Sequence, residues 1–199
     1  MIVTVDIGNT NINVAFCSGR RITAAPPISS NLPAAVIGRQ LSRILKCVSR
    51  SRLEAVVVCS VVPPVSRTVE RITRRMFGKP AVFLGRDLTI PIKNRYGNPR
   101  QVGQDRLACA FAAVEFYGAP AIVIDLGTAI TVDVVSRQRE YLGGIIIPGL
   151  RLSAESLFRK TALLPMVDIR SPKALIGKDT QSSILSGLFY GYGQMLQGL

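Results

Sequence analysis

Residues 2–7 form an apolar run that ends on one acid, Asp6, and 12–17 resume after a polar turn with Ile12, Val14 and Phe16 on alternate positions. This pattern predicts two strands joined across Gly-Asn-Thr. A third short strand follows in "RRITAAP". "NLPAAVIGRQLSRILKCV" has helical spacing, with Asn31 as the predicted N-cap and Pro33 near the first turn. "LEAVVVCSVVP" is continuously apolar, as in a strand covered on both faces. A helix over "PPVSRTVERITRRMFG" is predicted to stop at Gly78, and "PAVFLG" reads as a strand. The stretch 86–104 reads as a loop, and "GQDRLACAFAAVEFYG" as a helix with Leu107, Phe111 and Val114 on one stripe.

The pattern then restarts. Strands are predicted at 120–125, 129–135 and 140–147, and helices over "PGLRLSAESLFRKTALLP" and "KDTQSSILSGLFYGYGQML". "VTVDIGNTNINVAF" and "AIVIDLGTAITVDVV" share the order strand, Asp-x-Gly turn, strand. Ile130, Val132 and Val134 repeat the earlier alternation if the second turn is one residue shorter. A repeat of this size predicts two similar subdomains, 1–117 and an incomplete 118–199, facing each other across a cleft.

Composition narrows the chemistry. Hydrophobic residues make up 48% of the 199, and charged residues 19%, as in a folded globular chain. There is no histidine, which removes Ser-His-Asp and Cys-His catalysis and the usual zinc sites. Catalysis must rest on carboxylates, hydroxyls, backbone amides and cations. The four cysteines, Cys17, Cys47, Cys59 and Cys109, form no C-x-x-C pair and read as reduced thiols of a cytoplasmic protein. The N-terminus has no basic region typical of a signal peptide. Residues 182–199 carry no charge but are rich in Gly, Ser and Gln, so a buried or interface helix is expected rather than a membrane span. The net charge of +13 favours anionic partners. The basic residues are scattered along the sequence without interleaved aromatics, so nucleic acid is not the expected partner.

A strand-turn-strand unit with Gly and small hydroxyl residues exposes backbone N–H groups that can hold phosphate oxygens, and an Asp at the strand end can hold a cation. Singly, each copy is an ordinary hairpin; two copies together suggest a grip on nucleotide phosphates. No G-x-x-x-x-G-K-[ST] is present, which excludes a P-loop.

The duplicated layout resembles the superfamily of acetate and sugar kinases, heat-shock chaperones and actin. "DIGNTN", "YGNPRQVGQDRL", "DLGTAIT", "GGIIIPGL", "TALLP" and "GKDTQSSILSG" together resemble the motif set of type III pantothenate kinases, in that family's order and along the whole chain. The resemblance implies an α/β fold of duplicated ribonuclease-H-like (actin-like) subdomains, each a mixed sheet with flanking helices. It implies ATP-dependent phosphorylation of pantothenate to 4'-phosphopantothenate, the first step of coenzyme A biosynthesis. Asp6, Ile7, Gly8, Asn9, Thr10, Asn11, Ile12 and Asn13 would form the first phosphate loop, with Asp6 near the Mg2+ that accompanies ATP. Thr128 would contact ATP, and Asp125 would help bind a monovalent cation, K+ or NH4+. Asp105 would be the general base, and Tyr96, Gly103, Gln104, Arg106 and Thr180 would line the pantothenate site with it. A homodimer is implied, to which Gly187 and Gly191 add a close-packing helix face.

The chain departs from the pattern in two ways. Asp179 stands where Asn is usual before the substrate-site Thr, and the family's members are longer, so an uncovered sheet edge is expected in the second half. Residues read alone leave alternatives: Asp105 as a helix-start acid, Arg106 as an ion-pair partner, Tyr96 as loop packing and Thr180 as an N-cap. The competing function is a truncated, non-catalytic family member acting as a regulatory or accessory binding protein. A third is phosphorylation of another small hydroxylated substrate.

Overall fold

A computed structural model describes residues 1–199. The chain opens with β1 (Ile2–Ile7), β2 (Asn11–Ser18), β3 (Arg21–Ala24) and β4 (Ile28–Ser29). There follow α1 (Ala34–Leu45), β5 (Ala55–Ser60), α2 (Pro63–Phe77) and β6 (Val82–Phe83). The first sheet has the order β3-β2-β1-β5-β6, with β4 on β2. β1 is antiparallel to β2 and parallel to β5, so the sheet is mixed. The alternation in sequence becomes the core: Val3, Val5 and Ile7 of β1 and Ile12 and Val14 of β2 are buried with Ile37 and Leu41 of α1 and Val65 and Val69 of α2.

Gly78 ends α2 in the left-handed conformation, at φ 70, as the sequence predicts. The start of α1 differs from expectation: the N-cap is Pro33, not Asn31. Leu32 precedes a proline and is sterically driven out of the helical region, so the helix cannot begin before Pro33. Asn31 lies in the preceding turn, its N–H on Ser29 Oγ at 3.4 Å.

The remaining elements are β7 (Lys93–Asn94), a 3-10 turn at Pro99–Gln101, α3 (Gln104–Tyr117), β8 (Ala121–Leu126), β9 (Ala129–Val135), β10 (Glu140–Pro148), α4 (Leu150–Lys160) and α5 (Thr180–Gly198). The second sheet has the order β7-β10-β9-β8, which leaves β8 at its edge. α4 stops at Lys160, well before the predicted end. Thr161 is extended, and its hydroxyl takes over the helix end by donating to the Leu157 carbonyl at 2.9 Å.

The second turn is one residue shorter, as expected: Gly8 N–H reaches the Asn11 carbonyl at 2.9 Å, whereas Gly127 N–H reaches Ala129 at 3.2 Å. Ile130 and Val132 are buried, but Val134 is 36% exposed. The alternation slips at Asp133, which is buried immediately beside Val132.

The chain divides into two compact units, Met1–Val123 with Asp133–Gly143, and Ile124–Val132 with Gly144–Leu199. Besides its main core, the first unit holds a smaller cluster around Leu107, Val114 and Tyr141. The second unit is organised around Ala154, Val167, Ile184 and Leu188. No helix is long and apolar enough to cross a membrane.

Candidate active site

In the first unit, the β1–β2 turn is fixed at both ends by the core, because Ile7 and Ile12 are fully buried. These two residues anchor the turn and leave Asn9, Asn11 and Asn13 exposed. The Asn13 amide donates to Asp6 Oδ2 at 3.2 Å across the β1–β2 register. The Ser30 hydroxyl donates to the Gly8 carbonyl at 2.6 Å, and Ser30 N–H to the Thr10 carbonyl at 2.8 Å. A third segment therefore fastens the turn, so its amides are held in place before any ligand arrives.

Asp6 lies opposite Cys59 in the β1–β5 register. The Cys59 thiol is pushed up to about 12, first by burial and then by the negative charges of Asp6 and Asp105. Both carboxylates thus act on one point at the C-terminal end of parallel strands, where open α/β sheets commonly bind ligands.

Asp105 and its neighbours sit at the start of α3, whose N-cap is Gly103. The Arg106 N–H donates to Asp105 Oδ1 at 2.9 Å. Three glycines shape this region. A side chain at Gly103 would collide with the Asp105 carboxylate, and one at Gly85 would strike Gln104 at 2.5 Å. One at Gly143 would crowd the Tyr96 ring at 3.3 Å. Gly85 and Gly143 also have φ of +79° and +128°, which other residues rarely adopt.

Arg106 is nearly buried. Its Nε–H and Nη2–H donate to Asp133 Oδ1 at 2.9 and 2.6 Å, and the Tyr141 hydroxyl donates to the same oxygen at 2.7 Å. Burial, and then the bond to Asp133, push the Tyr141 hydroxyl well above the ordinary tyrosine range. Asp133 and Tyr141 escaped the sequence reading. The available signal was one acid inside the apolar run "TVDVV".

In the second unit, Asp125 lies next to the end of β8 and Thr128 sits in the β8–β9 turn, both exposed. The Gly149 N–H donates to the Thr128 carbonyl at 2.9 Å, and Gly149 is the N-cap of α4. A Cβ at Gly149 would press on the Thr128 carbonyl oxygen at 2.5 Å, so turn and helix start approach closely. A cavity of about 420 Å³ adjoins the turn, lined by Leu126, Gly127, Leu150, Arg151, Val167 and Asp168 among others. Thr180 is the first residue of α5, not its cap. Asp179 caps the helix in a reciprocal pair with Ser182, accepting its N–H at 2.8 Å, which leaves the Thr180 hydroxyl outside the capping hydrogen bonds.

No group of three or more Cys, Asp or Glu is arranged to enclose a metal. A magnesium ion delivered on nucleotide phosphates and touching one or two carboxylates fits this donor set.

Residues 2–199 match the family model for type III pantothenate kinase. A type III pantothenate kinase from Persephonella marina is 40% identical over 100% of this chain and 80% of its own length. One from Geobacter sulfurreducens is 36% identical over 96% of this chain and 77% of its own. Among solved structures, a Campylobacter jejuni protein assigned to the Baf family of transcriptional activators superposes with a TM-score of 0.59. It shares 18% identity, over 98% of this chain and 78% of that one.

Proposed function

This chain belongs to the type III pantothenate kinase family, enzymes that use ATP to phosphorylate pantothenate in coenzyme A biosynthesis, and from that membership we propose how its residues share the work. The family's fold is α/β and actin-like, with mixed sheets and flanking helices. We assign its two subdomains to 1–117 and 118–199.

Phosphoryl transfer needs positioning and charge neutralisation more than covalent help, so the absence of histidine is no obstacle. The β1–β2 turn, held ready by Ser30 and closed by the Gly8 N–H on the Asn11 carbonyl, cradles the ATP phosphates at Asn9 and Thr10. Asn13 orients Asp6, and Asp6 holds the Mg2+ that arrives with ATP and offsets phosphate charge. Thr128 contacts ATP from the second turn, and Asp125 helps hold K+ or NH4+.

Asp105 takes the proton from the primary hydroxyl of pantothenate as that oxygen attacks the terminal phosphorus. Arg106 spends two donors on Asp133 and keeps its Nη1 hydrogens for the pantothenate carboxylate. Tyr96, Gly103, Gln104 and Thr180 complete the pantothenate site. The enzyme works as a cytoplasmic homodimer; Gly187 and Gly191 on α5 have nothing packed over them within the chain, which leaves room for a partner helix.

The observation that carries this reading is that α3, whose first turn carries Asp105, packs against β5, whose Cys59 lies opposite Asp6 in the strand register. It supports a metal-holding carboxylate and a base carboxylate in one locality, with Asp105 Oδ1 steadied by the Arg106 N–H. The test is ATP-dependent phosphorylation of pantothenate in K+, NH4+ or Na+, with Asp105→Asn alongside. Turnover that needs K+ or NH4+ and falls by about 100-fold or more in the variant supports the assignment. Undiminished turnover in Asp105→Asn removes the base from it.

A further inference from the structure

Away from the active-site residues, the two helices over the first sheet enclose a groove of about 690 Å³ with a floor of small residues, Ala34, Ala35, Gly38 and Ser42. Arg39 and Arg43 line it from α1, Lys46 from the C-cap of that helix, and Arg71 and Arg75 from α2. Arg67 and Arg74 extend the α2 row into an adjoining cavity of about 520 Å³. All these cations are exposed, and none has a carboxylate within 4.0 Å. α1 contains no acid, and the one acid of α2, Glu70, is bound by Arg86 at 3.2 Å.

Helix chemistry explains only part of this. Arg43, Arg74 and Arg75 occupy last turns, where cations suit the helix dipole. Arg39, Arg67 and Arg71 do not. The pairs Arg39/Arg43, Arg67/Arg71 and Arg71/Arg75 stand four residues apart, where like charges oppose helix formation. The apolar residues of both helices, including Ile37, Leu41, Val65 and Val69, are spent on the core. The outer face therefore offers charge without an apolar surface to insert into a lipid bilayer.

We propose that the α1–α2 groove binds the phosphate backbone of nucleic acid. Arginine predominates, and its planar fork matches phosphate oxygens. The row from Arg67 to Arg75 rises about 12 Å along the helix, several phosphate spacings of a duplex. The groove lacks the Asn or Gln pairs that read base edges, so binding is independent of sequence.

The test is fluorescence anisotropy with a short DNA duplex of arbitrary sequence, titrated at several salt concentrations. Arg71→Gln/Arg75→Gln is compared with Arg20→Gln/Arg21→Gln, which loses the same charge from exposed positions at and just before the start of β3. Pantothenate kinase turnover of each variant reports intact folding. The groove variant should bind about tenfold more weakly at low salt, with a log–log salt slope shallower by about 1.8, while the control stays within about twofold. Equal losses in the two variants, no binding by the parent chain, or binding to phosphatidylserine vesicles without binding to the duplex would each overturn the proposal.

Discussion

Asp133 Oδ1 accepts both the Nε–H and an Nη2–H of Arg106, at 2.9 and 2.6 Å, with side-chain exposures of 10% for the arginine and 2% for the acid. An ion pair this deep is costly to halve, because the surviving charge stays buried. Asp133→Ala should destabilise the chain by about 3–5 kcal/mol in urea unfolding. Tyr141→Phe removes one neutral donor from the same oxygen and should cost about 1–2 kcal/mol. Equal effects from the two would show that Asp133 is not the centre of the network.

Gly143 leaves room for the Tyr96 ring. Gly143→Ala puts a methyl group against it at 3.3 Å and strains a backbone at φ +128°. The expected result is a KM for pantothenate raised about tenfold, with the KM for ATP little changed. Steady-state kinetics on both substrates separates the two. A change confined to ATP would remove Tyr96 from the pantothenate site.

The β1–β2 turn makes the opposite prediction. Ser30→Ala deletes the bond to the Gly8 carbonyl, worth about 1 kcal/mol, and loosens the turn assigned to the phosphates. ATP should bind about fivefold more weakly, as read by isothermal titration, with pantothenate affinity held.

Glu140 tests the acid side. Bonds from Arg95 and then Lys93 pull its carboxyl down to about 2 from an ordinary 4.5. A carboxyl depressed on folding stabilises the protein above its unfolded value, and that stabilisation is lost as pH falls through the folded value. The Tm advantage over Glu140→Gln should therefore be constant above 4.5 and vanish as pH drops towards 2. An advantage that persists at the acid end would show that the ion pairs are not its source.

The sequence already exposed the strand-turn-strand units, since Val3, Val5, Ile12 and Val14 alternate and each turn is marked by glycine. It misplaced the start of α1 because Asn31 is a good cap in isolation, while the restriction on Leu32 comes from the following proline. Asp133 was hidden because an acid in a strand normally faces water; its partner Arg106 lies on a helix that only the fold brings near. The α2 half of the basic groove stands in the sequence as the short run RITRR at 71–75, but Arg39, Arg43 and Lys46 are far from it along the chain, and only the fold sets them alongside. Asp125 is legible as the acid of the second Asp-x-Gly unit, whereas Thr128 and Thr180, exposed polar residues with no distinguishing pattern, are singled out only by the family motifs.

β8 borders the second sheet and shows water Ile122, Ile124 and Leu126 at 62%, 44% and 65% exposure. An exposed apolar edge strand is a template on which another copy can lengthen the sheet. Mutual repulsion at +13 holds copies apart in dilute buffer. That protection acts over a distance that shrinks from about 30 Å at 0.01 M salt to about 3 Å at 1 M. Colloidal stability should thus run against the usual advice for basic proteins: added salt, which strips bound polyanions during purification, also removes the barrier that keeps β8 from finding a second β8.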